Sequence, residues 1–506
     1  MGLLIRGLRH WCRDHRQGIT PVDDLSSRIV YSQDFVGGDG QDHYGHGEHI
    51  AGIVAANGIS SSCPNCTRSL VGIAPGARLI NLRALDENGN GSDSTVIAAI
   101  EQAIRLKNQY NIRVMNLSLG RPVFESFRFD PLCQAVEAAW RAGIVVVVAA
   151  GNGGRDNSMG TNGYGTITVP GNDPYVITVG AMKAMGTFDR TDDRIASYSS
   201  KGPTLIDHVI KPDLVAPGNQ VVSLRAPEAT LNQEADTQVL TSYYQNPTPG
   251  AANVTTSPIS MRYSMLNGTS MAAAVTSAAV ADLLSAQPNL TPEQVKARLM
   301  KTAYKTFPRT SVATDPVTGQ TYESHYDIFT VGAGYLDLQS ALANHDVASR
   351  SALSPTAILN PLSGNIFLSP GLFSLWNDGG LNDAGGVWGT QAVWGTAVID
   401  ANRGVWGTRG VWGTNGVWGD ANVAGARGVW GTDSVDANRG VWGTGSIDPS
   451  RGVWGTWTID PNRGVWGTDI IQPNRGVWGF GSVSPSRGVW DALSDVSDEL
   501  ILKGEK

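Results

Sequence analysis

Residues 18–345 alternate short apolar runs with amphipathic stretches, and this alternation constrains the fold more than any other feature of the chain. The apolar runs, most of them rich in β-branched residues, lie at 77–82, 114–119, 144–149 and 176–179. Amphipathic stretches of helical period separate them, for example at 94–106 and 131–142. Buried strands that alternate with helices predict an α/β fold built on a doubly wound parallel sheet. In such sheets the functional side chains gather at the carboxyl ends of the strands.

The rest of the chain differs in composition. Ser, Pro, Gly and Asn are frequent at 346–385, which predicts a linker. Beyond it, Val-Trp pairs flanked by glycine recur in steps of 6 or 12 residues from Trp388 to Trp490, so 386–490 is a repeat array. An even period returns each Trp to one face of an extended chain, and the glycine content raises the cost of order. We expect a Trp/Gly segment that is either β or disordered, and a tail at 491–506.

Charge and composition exclude several classes of function. A net charge of −7 gives no footprint for nucleic acid, and no apolar run approaches the ~20 residues of a membrane span. The first residues lack the features of a signal peptide. Cys63 and Cys66 form a C-x-x-C with no second pair at zinc spacing, so a local disulfide or two free thiols are expected rather than zinc or redox catalysis. We expect no cofactor and identify no metal ligands; calcium binding stays open, although no complete calcium loop is visible.

Three phrases hold candidate catalytic residues. His46 lies between two glycines at the start of a helix-like run, and the glycines let backbone and ligand approach the imidazole. Ser270 follows Gly-Thr and precedes a run of small residues, which places it at a helix N-terminus, where free N–H groups stabilise an oxyanion. Asn152 follows a buried run, and its amide can donate a hydrogen bond to the same oxyanion. Taken singly, each has a structural alternative: a core histidine, an N-cap serine and an Asn-Gly turn.

Together these phrases resemble the subtilisin family of serine proteases. The order His, Asn, Ser matches, and so do the intervening phrases at 116–120, 197–203 and 211–218. The phrase at 332–337 resembles the usual end of the family's domain. The resemblance covers residues 18–345 and implies the subtilisin-like form of the α/β fold. The chain departs from the family where Ala274 replaces a proline, at 275–278, and where Glu48 replaces a threonine. None of these departures removes a reacting group.

The resemblance implies a role for each matching residue. His46 would be the general base, Ser270 the nucleophile, and Asn152 with the Ser270 backbone N–H the oxyanion hole. The expected function is the hydrolysis of peptide bonds in protein substrates through an acyl-enzyme, in a protein that in its intact form is secreted or held at the cell surface. The residues expected to pair with an extended substrate, and to line the pocket for the residue before the scissile bond, are Ser118, Leu119, Gly120, Ala149, Ala150 and Gly151.

The third residue of the family's triad, an aspartate, is missing from its expected place. The family pattern resumes at Gly18, and counting back puts the aspartate position at Arg16, within residues 1–17 that do not fit the pattern. Codons can be chosen for residues 7–17 that, read one base forward, spell Gly-Phe-Gly-Thr-Gly-Val-Ala-Thr-Ile-Asp-Ser, with the final Ser completed by one restored base. This phrase resembles the family's first strand and its aspartate. We therefore expect a frameshift before Gly18. The alternative is a diverged N-terminus in which Asp14 takes the role.

Two other functions stay open at this stage. The chain could be a catalytically impaired relative that binds peptides in the same cleft. It could also be a surface adhesion protein that acts through its repeats.

Overall fold

The computed structural model describes residues 22–246, 258–315, 318–348 and 351–358 in full. It also describes the backbone of strands at 2–6, at 359 and 366–369, and within 417–478. The predictions for Asp14, Arg16 and the tail at 491–506 lie outside the described residues.

A central sheet of eight strands confirms the predicted α/β fold. Its order is β2-β3-β1-β4-β5-β6-β7, with β8 also paired to β6. The β2–β3, β4–β5, β5–β6 and β6–β8 pairs are parallel, whereas β1 and β7 run antiparallel to their neighbours. The strands are β1 (Gly2–Arg6), β2 (Ile29–Asp34), β3 (Arg78–Arg83), β4 (Ile112–Leu117), β5 (Val145–Ala149), β6 (Ile177–Lys183), β7 (Arg194–Ile195) and β8 (Leu214–Pro217).

The helices begin where polar side chains can bind their free backbone N–H groups. Ser92 and Thr95 form a capping box on α2, and the Asp130 carboxylate accepts hydrogen bonds from the first turn of α3. Among the described residues one helix, α4, is long and apolar enough to cross a membrane, but 72% of it is buried in the domain, as in a core helix. The helices are α1 (His46–Ala55), α2 (Asp93–Tyr110), α3 (Pro131–Arg141), α4 (Thr269–Ala286), α5 (Pro292–Thr302), α6 (Ile328–Val331) and α7 (Leu338–Ala343).

Smaller antiparallel units surround the central sheet. The order β10-β11-β9 forms one sheet, and β12–β13 and β14–β15 form two-stranded ladders. Cys63 and Cys66 form a disulfide, which decides between the two alternatives that the sequence left open, and Cys133 is a buried free thiol. These strands are β9 (Val221–Leu224), β10 (Gln238–Leu240), β11 (Ile259–Leu266), β12 (Thr310–Thr314), β13 (Thr321–His325), β14 (Thr356–Leu359) and β15 (Ile366–Ser369).

The segment 351–358 corrects the predicted start of the linker at 346. The Ser354 backbone N–H donates to the Pro174 carbonyl, and the Ala357 N–H donates to the His208 carbonyl. The Ser354 hydroxyl also donates to the buried Asp213 carboxylate at 2.5 Å. Small and polar residues made this segment resemble a linker, but its backbone and hydroxyl groups pair with the core. The folded domain therefore extends at least to residue 358.

The repeats contain short parallel strands, of which the structure describes the backbone. Val-Trp strands pair in register one repeat apart, so that Trp418 lies opposite Trp430 and Trp430 opposite Trp442. A second sheet, in the order β17-β19-β21, forms from the strands between them. These strands are β16 (Val417–Gly419), β17 (Val423–Gly425), β18 (Val429–Gly431), β19 (Val435–Ala437), β20 (Val441–Gly443), β21 (Ile447–Pro449), β22 (Val453–Gly455), β23 (Val465–Trp466) and β24 (Val477–Trp478).

Candidate active site

His46 is the first residue of α1, and the turn before it is built to start a helix. Gly45 has a φ of 100°, a left-handed conformation that favours glycine. The Asp42 carboxylate accepts hydrogen bonds from the backbone N–H groups of Gly45, at 2.8 Å, and Glu48, at 2.6 Å. Asp42 thus caps α1 from outside the helix and fixes the backbone on both sides of His46.

The His46 imidazole is 4% exposed, and burial lowers its pKa to about 3. No described hydrogen bond joins the imidazole to another residue, and none joins it to the Ser270 hydroxyl. The ring is therefore neutral at physiological pH. It would accept a proton readily only if a nearby anion stabilised the imidazolium.

Ser270 is the second residue of α4 and is 2% exposed. The helix starts after Gly268, whose φ of 142° is again open mainly to glycine. The Ser118 hydroxyl donates to the Ser270 carbonyl at 2.8 Å, and the Asn116 amide donates to the Ser118 hydroxyl at 2.9 Å. These bonds tie the first turn of α4 to the carboxyl end of β4.

Asn152 lies beside the same helix start, and its two amide atoms are used differently. Its Oδ1 accepts from the Thr269 backbone N–H and from the Thr269 hydroxyl, both at 3.0 Å. Its Nδ2 is buried and has no hydrogen-bond partner among the residues that the structure describes. Added to Gly268, a Cβ would lie 3.2 Å from this Nδ2. Thr269 therefore holds a free donor at the N-terminus of α4, where a developing negative charge would be stabilised.

The predicted substrate-binding residues meet at the carboxyl edge of the sheet. One triplet, Ser118 to Gly120, follows β4, and the other, Ala149 to Gly151, begins at the last residue of the neighbouring strand β5. The Gly151 backbone N–H donates to the Thr269 hydroxyl at 3.1 Å, which brings the second triplet to the start of α4. Helix α1, which carries His46, packs against α4.

The family model described as "Subtilase family" matches residues 14–334. The chain belongs to the subtilase family. It is 37% identical over 290 residues to Serine protease AprX of Bacillus subtilis (strain 168), covering 55% of this chain and 58% of that protein. It is 34% identical over 278 residues to Subtilisin DY of Bacillus licheniformis, covering 54% of this chain and 77% of that protein. The solved structure of Sphericase covers 62% of this chain and 86% of its own, at 23% identity and a TM-score of 0.44.

In this subtilase β1, the strand between β3 and β4, is antiparallel to both of its neighbours. Gly2, at the amino end of β1, pairs with Leu82 and Leu117, which lie at or next to the carboxyl ends of β3 and β4. A parallel strand in this place would instead end at that edge, where a side chain following it could reach the site. Among the described residues, no carboxylate makes a hydrogen bond to His46.

Sequence reasoning missed the residues that position the site in this subtilase. Thr269 joins Asn152 to α4, and Asp42 caps α1 from four residues before His46. Asp42 had a readable signal, because aspartate a few residues before a helix start is a common cap. Thr269 had none, because its partners Asn152 and Gly151 are more than a hundred residues away. The described residues also contain no group of three or more His, Cys, Asp or Glu side chains that could hold a metal ion.

Proposed function

We propose that this subtilase is a serine endopeptidase in which Ser270 is the nucleophile and His46 the general base. His46 takes the Ser270 hydroxyl proton as the oxygen attacks the substrate carbonyl, and then gives that proton to the leaving amine. The Asn152 amide and the Ser270 backbone N–H stabilise the oxyanion. Water then hydrolyses the acyl-enzyme by the reverse sequence of proton transfers.

The observation that carries the proposal is the unpartnered Asn152 Nδ2 at the start of α4. Leaving a buried donor unsatisfied costs about 1–3 kcal/mol, so a fold that holds one in a fixed place needs a reason. An oxyanion formed at Ser270 would satisfy both this donor and the free N–H groups of the helix.

The proposed substrate is an extended segment of protein that pairs with Ser118, Leu119 and Gly120. We also propose that the protein acts outside the cell. The disulfide between Cys63 and Cys66 supports this, because such bonds persist mainly in oxidising compartments.

A second candidate, an impaired relative that binds peptides, is favoured by the surroundings of His46. Its imidazole has no described partner and a pKa of about 3, and β1 brings an amino end to the edge where a carboxylate would be needed. Removal of the aspartate from a subtilisin triad costs about 3 × 10⁴ in kcat. We propose that the frameshift before Gly18 accounts for this loss.

Covalent labelling tests the assignment of the nucleophile. A fluorophosphonate should modify Ser270, and Ser270→Ala should remove the label. Asn152→Ala should slow labelling by about 10²–10³, because the phosphonyl oxygen loses a donor. Ser285→Ala, on the exposed part of the same helix, is the matched control and should change nothing. A label on a different serine would refute the proposal.

Replacement of residues 7–17 by the shifted phrase separates the two candidates. The replaced chain should hydrolyse unfolded protein with a kcat about 10⁴ above that of the original. The same phrase with alanine in place of its aspartate should stay at the original rate. If the original chain already turns over as fast as the replaced one, the impaired candidate fails. The nucleotide sequence tests the frameshift itself: if its shifted frame holds no aspartate codon, the hypothesis is wrong.

A further inference from the structure

We propose that Thr168 closes the pocket for the side chain before the scissile bond, so that this protein cleaves after residues with small side chains. The inference rests on the proposed function, because it assumes that substrate lies between the segments that follow β4 and β5.

The backbone around Thr168 is fixed to both of these segments. The Thr168 N–H donates to the Ala150 carbonyl at 3.1 Å. Val169 pairs with Arg121 in both directions, with N···O distances of 2.9 and 3.1 Å. Residues 168–169 therefore bridge the end of β5 and the residue after Gly120. They cannot move away from either segment without breaking hydrogen bonds to it.

The Thr168 side chain fills the space that two predicted pocket glycines would otherwise leave open. Placed on Gly120, a Cβ would lie 2.4 Å from Thr168 Oγ1, and on Gly151 it would lie 2.9 Å from Thr168 Cγ2. Both distances are too short for any side chain at the glycines. The gap between the two strand ends is thus already occupied by the chain itself.

A second hydroxyl closes the pocket behind Gly151. Placed on Gly151, a Cβ would lie 2.7 Å from Ser200 Oγ, and that hydroxyl is buried and accepts the Gly153 N–H at 3.0 Å. The Thr168 hydroxyl also reaches the Ala150 carbonyl, at a long distance of 3.4 Å. A methyl or hydroxymethyl group suits such a shallow site, whereas a benzyl group would have to displace Thr168.

The expected preference for a small side chain can be estimated from how strongly enzyme pockets discriminate between substrates of different size. One misplaced methylene in a pocket changes selectivity by about 10–200-fold, so we expect an alanine side chain to be favoured over a phenylalanine side chain by at least about 10-fold. Thr168→Gly should reduce this ratio by at least about 10-fold. Thr168→Ser, which lacks only the methyl group near Gly151, should lie between the two.

Two peptide boronic acids that differ only in the last side chain, methyl or benzyl, provide the test on the full chain. The boron accepts a lone pair from the Ser270 oxygen, whose proton passes to His46 or to solvent, so the probe needs no turnover. The measured quantity is the concentration of each boronic acid that protects half of Ser270 from a fluorophosphonate. Thr168→Val keeps the size and loses the hydroxyl, so this control should retain the wild-type ratio.

The outcomes distinguish this inference from the proposed function. Equal protection of wild-type Ser270 by the two probes would overturn the role of Thr168, and so would an unchanged ratio in both Thr168→Gly and Thr168→Ser. If Thr168→Gly fails to fold, Thr168→Ser alone decides. If neither boronic acid nor the fluorophosphonate reacts at Ser270, the proposed function itself is refuted, and the inference with it.

Discussion

His46 and His49 are buried within one helical turn, and this makes the stability of the fold sensitive to acid. Burial lowers the pKa of His46 to about 3 and that of His49 to about 4, from an ordinary value of 6.5. In the unfolded chain both rings titrate near pH 6.5. Between these values the unfolded chain binds more protons than the folded one, so the free energy of unfolding falls as the pH falls below about 6.5.

We predict that His49→Gln will flatten this dependence. Each proton bound only by the unfolded chain contributes up to about 1.4 kcal/mol per pH unit. Glutamine can still donate to the Val221 carbonyl that His49 contacts at 3.0 Å, but it does not titrate. Denaturant unfolding at pH 7, 6 and 5 measures the slope. His345→Gln, at an exposed position, should leave it unchanged. An equal slope in His49→Gln and wild type would show that His49 is not the source.

At the scale of single residues, the sequence predicted those positions that depend on the adjacent residues in the chain. Ser270 was expected at a helix N-terminus because Gly-Thr precedes it and small residues follow, and it is the second residue of α4. The network around it could not be predicted. Ser118 bonds to Ser270, and Thr269 bonds to Asn152, each across more than a hundred residues of sequence. Such pairings depend on how the strands are ordered.

At the scale of elements, a buried charged network holds the end of the domain to the sheet. Lys211 and Lys296 are fully buried and lie 2.7 and 3.3 Å from the two oxygens of Asp213. Ser354 donates to Asp213 at 2.5 Å and accepts from Lys296 at 2.8 Å. Its hydroxyl thus completes the hydrogen bonding of groups that would be costly to leave unpaired.

We predict that Ser354→Ala will destabilise the domain by about 2–3 kcal/mol, the usual cost of removing a hydrogen bond to a buried charged group. Ser351→Ala is the control, because the Ser351 hydroxyl makes only a 3.4 Å contact with Glu293 and should cost much less. Denaturant unfolding of the two variants gives both values. If Ser354→Ala and Ser351→Ala have the same free energy of unfolding as wild type, 351–358 does not belong to the folded unit.

Elements with strong local signals were predicted well, and those without were not. The strands predicted at 77–82 and 144–149 lie within one residue of Arg78–Arg83 and Val145–Ala149, because short, mostly apolar runs are typical of buried strands. The helix predicted at 131–142 matches Pro131–Arg141, which has a cap and a first-position proline. Strand β1 was not predicted; it pairs antiparallel with β3 and β4, which are distant from it in the sequence.

At the scale of the whole molecule, the domain and the repeats are built on different principles. The domain has a core assembled from distant parts of the chain, whereas each described repeat strand pairs with the strand one repeat away. A chain that ends at residue 369 should therefore label Ser270 with a fluorophosphonate as fast as the full chain. Slower labelling of the shortened chain would show that the repeats contribute to the site.

The pairing of the repeats makes a sharper prediction about their register. Val441–Gly443 lies between Val429–Gly431 and Val453–Gly455 in one sheet, and Ile447–Pro449 belongs to the other sheet. A deletion of residues 441–452 removes one whole repeat and lets Val429–Gly431 pair with Val453–Gly455. A deletion of residues 441–446 removes half a repeat, so every later strand falls opposite a strand of the wrong sheet.

In the isolated segment 386–490 we expect a cooperative melt by circular dichroism and blue-shifted Trp fluorescence, because stacked strands would remove indole rings from water. The deletion of 441–452 should keep both signals and lower the melting temperature slightly. The deletion of 441–446 should weaken both much more, although it removes fewer residues. If the two deletions change the melt and the fluorescence equally, the prediction that the repeats pair in register is wrong. Emission typical of water-exposed indole with no melt in the parent segment would leave 386–490 a disordered low-complexity segment.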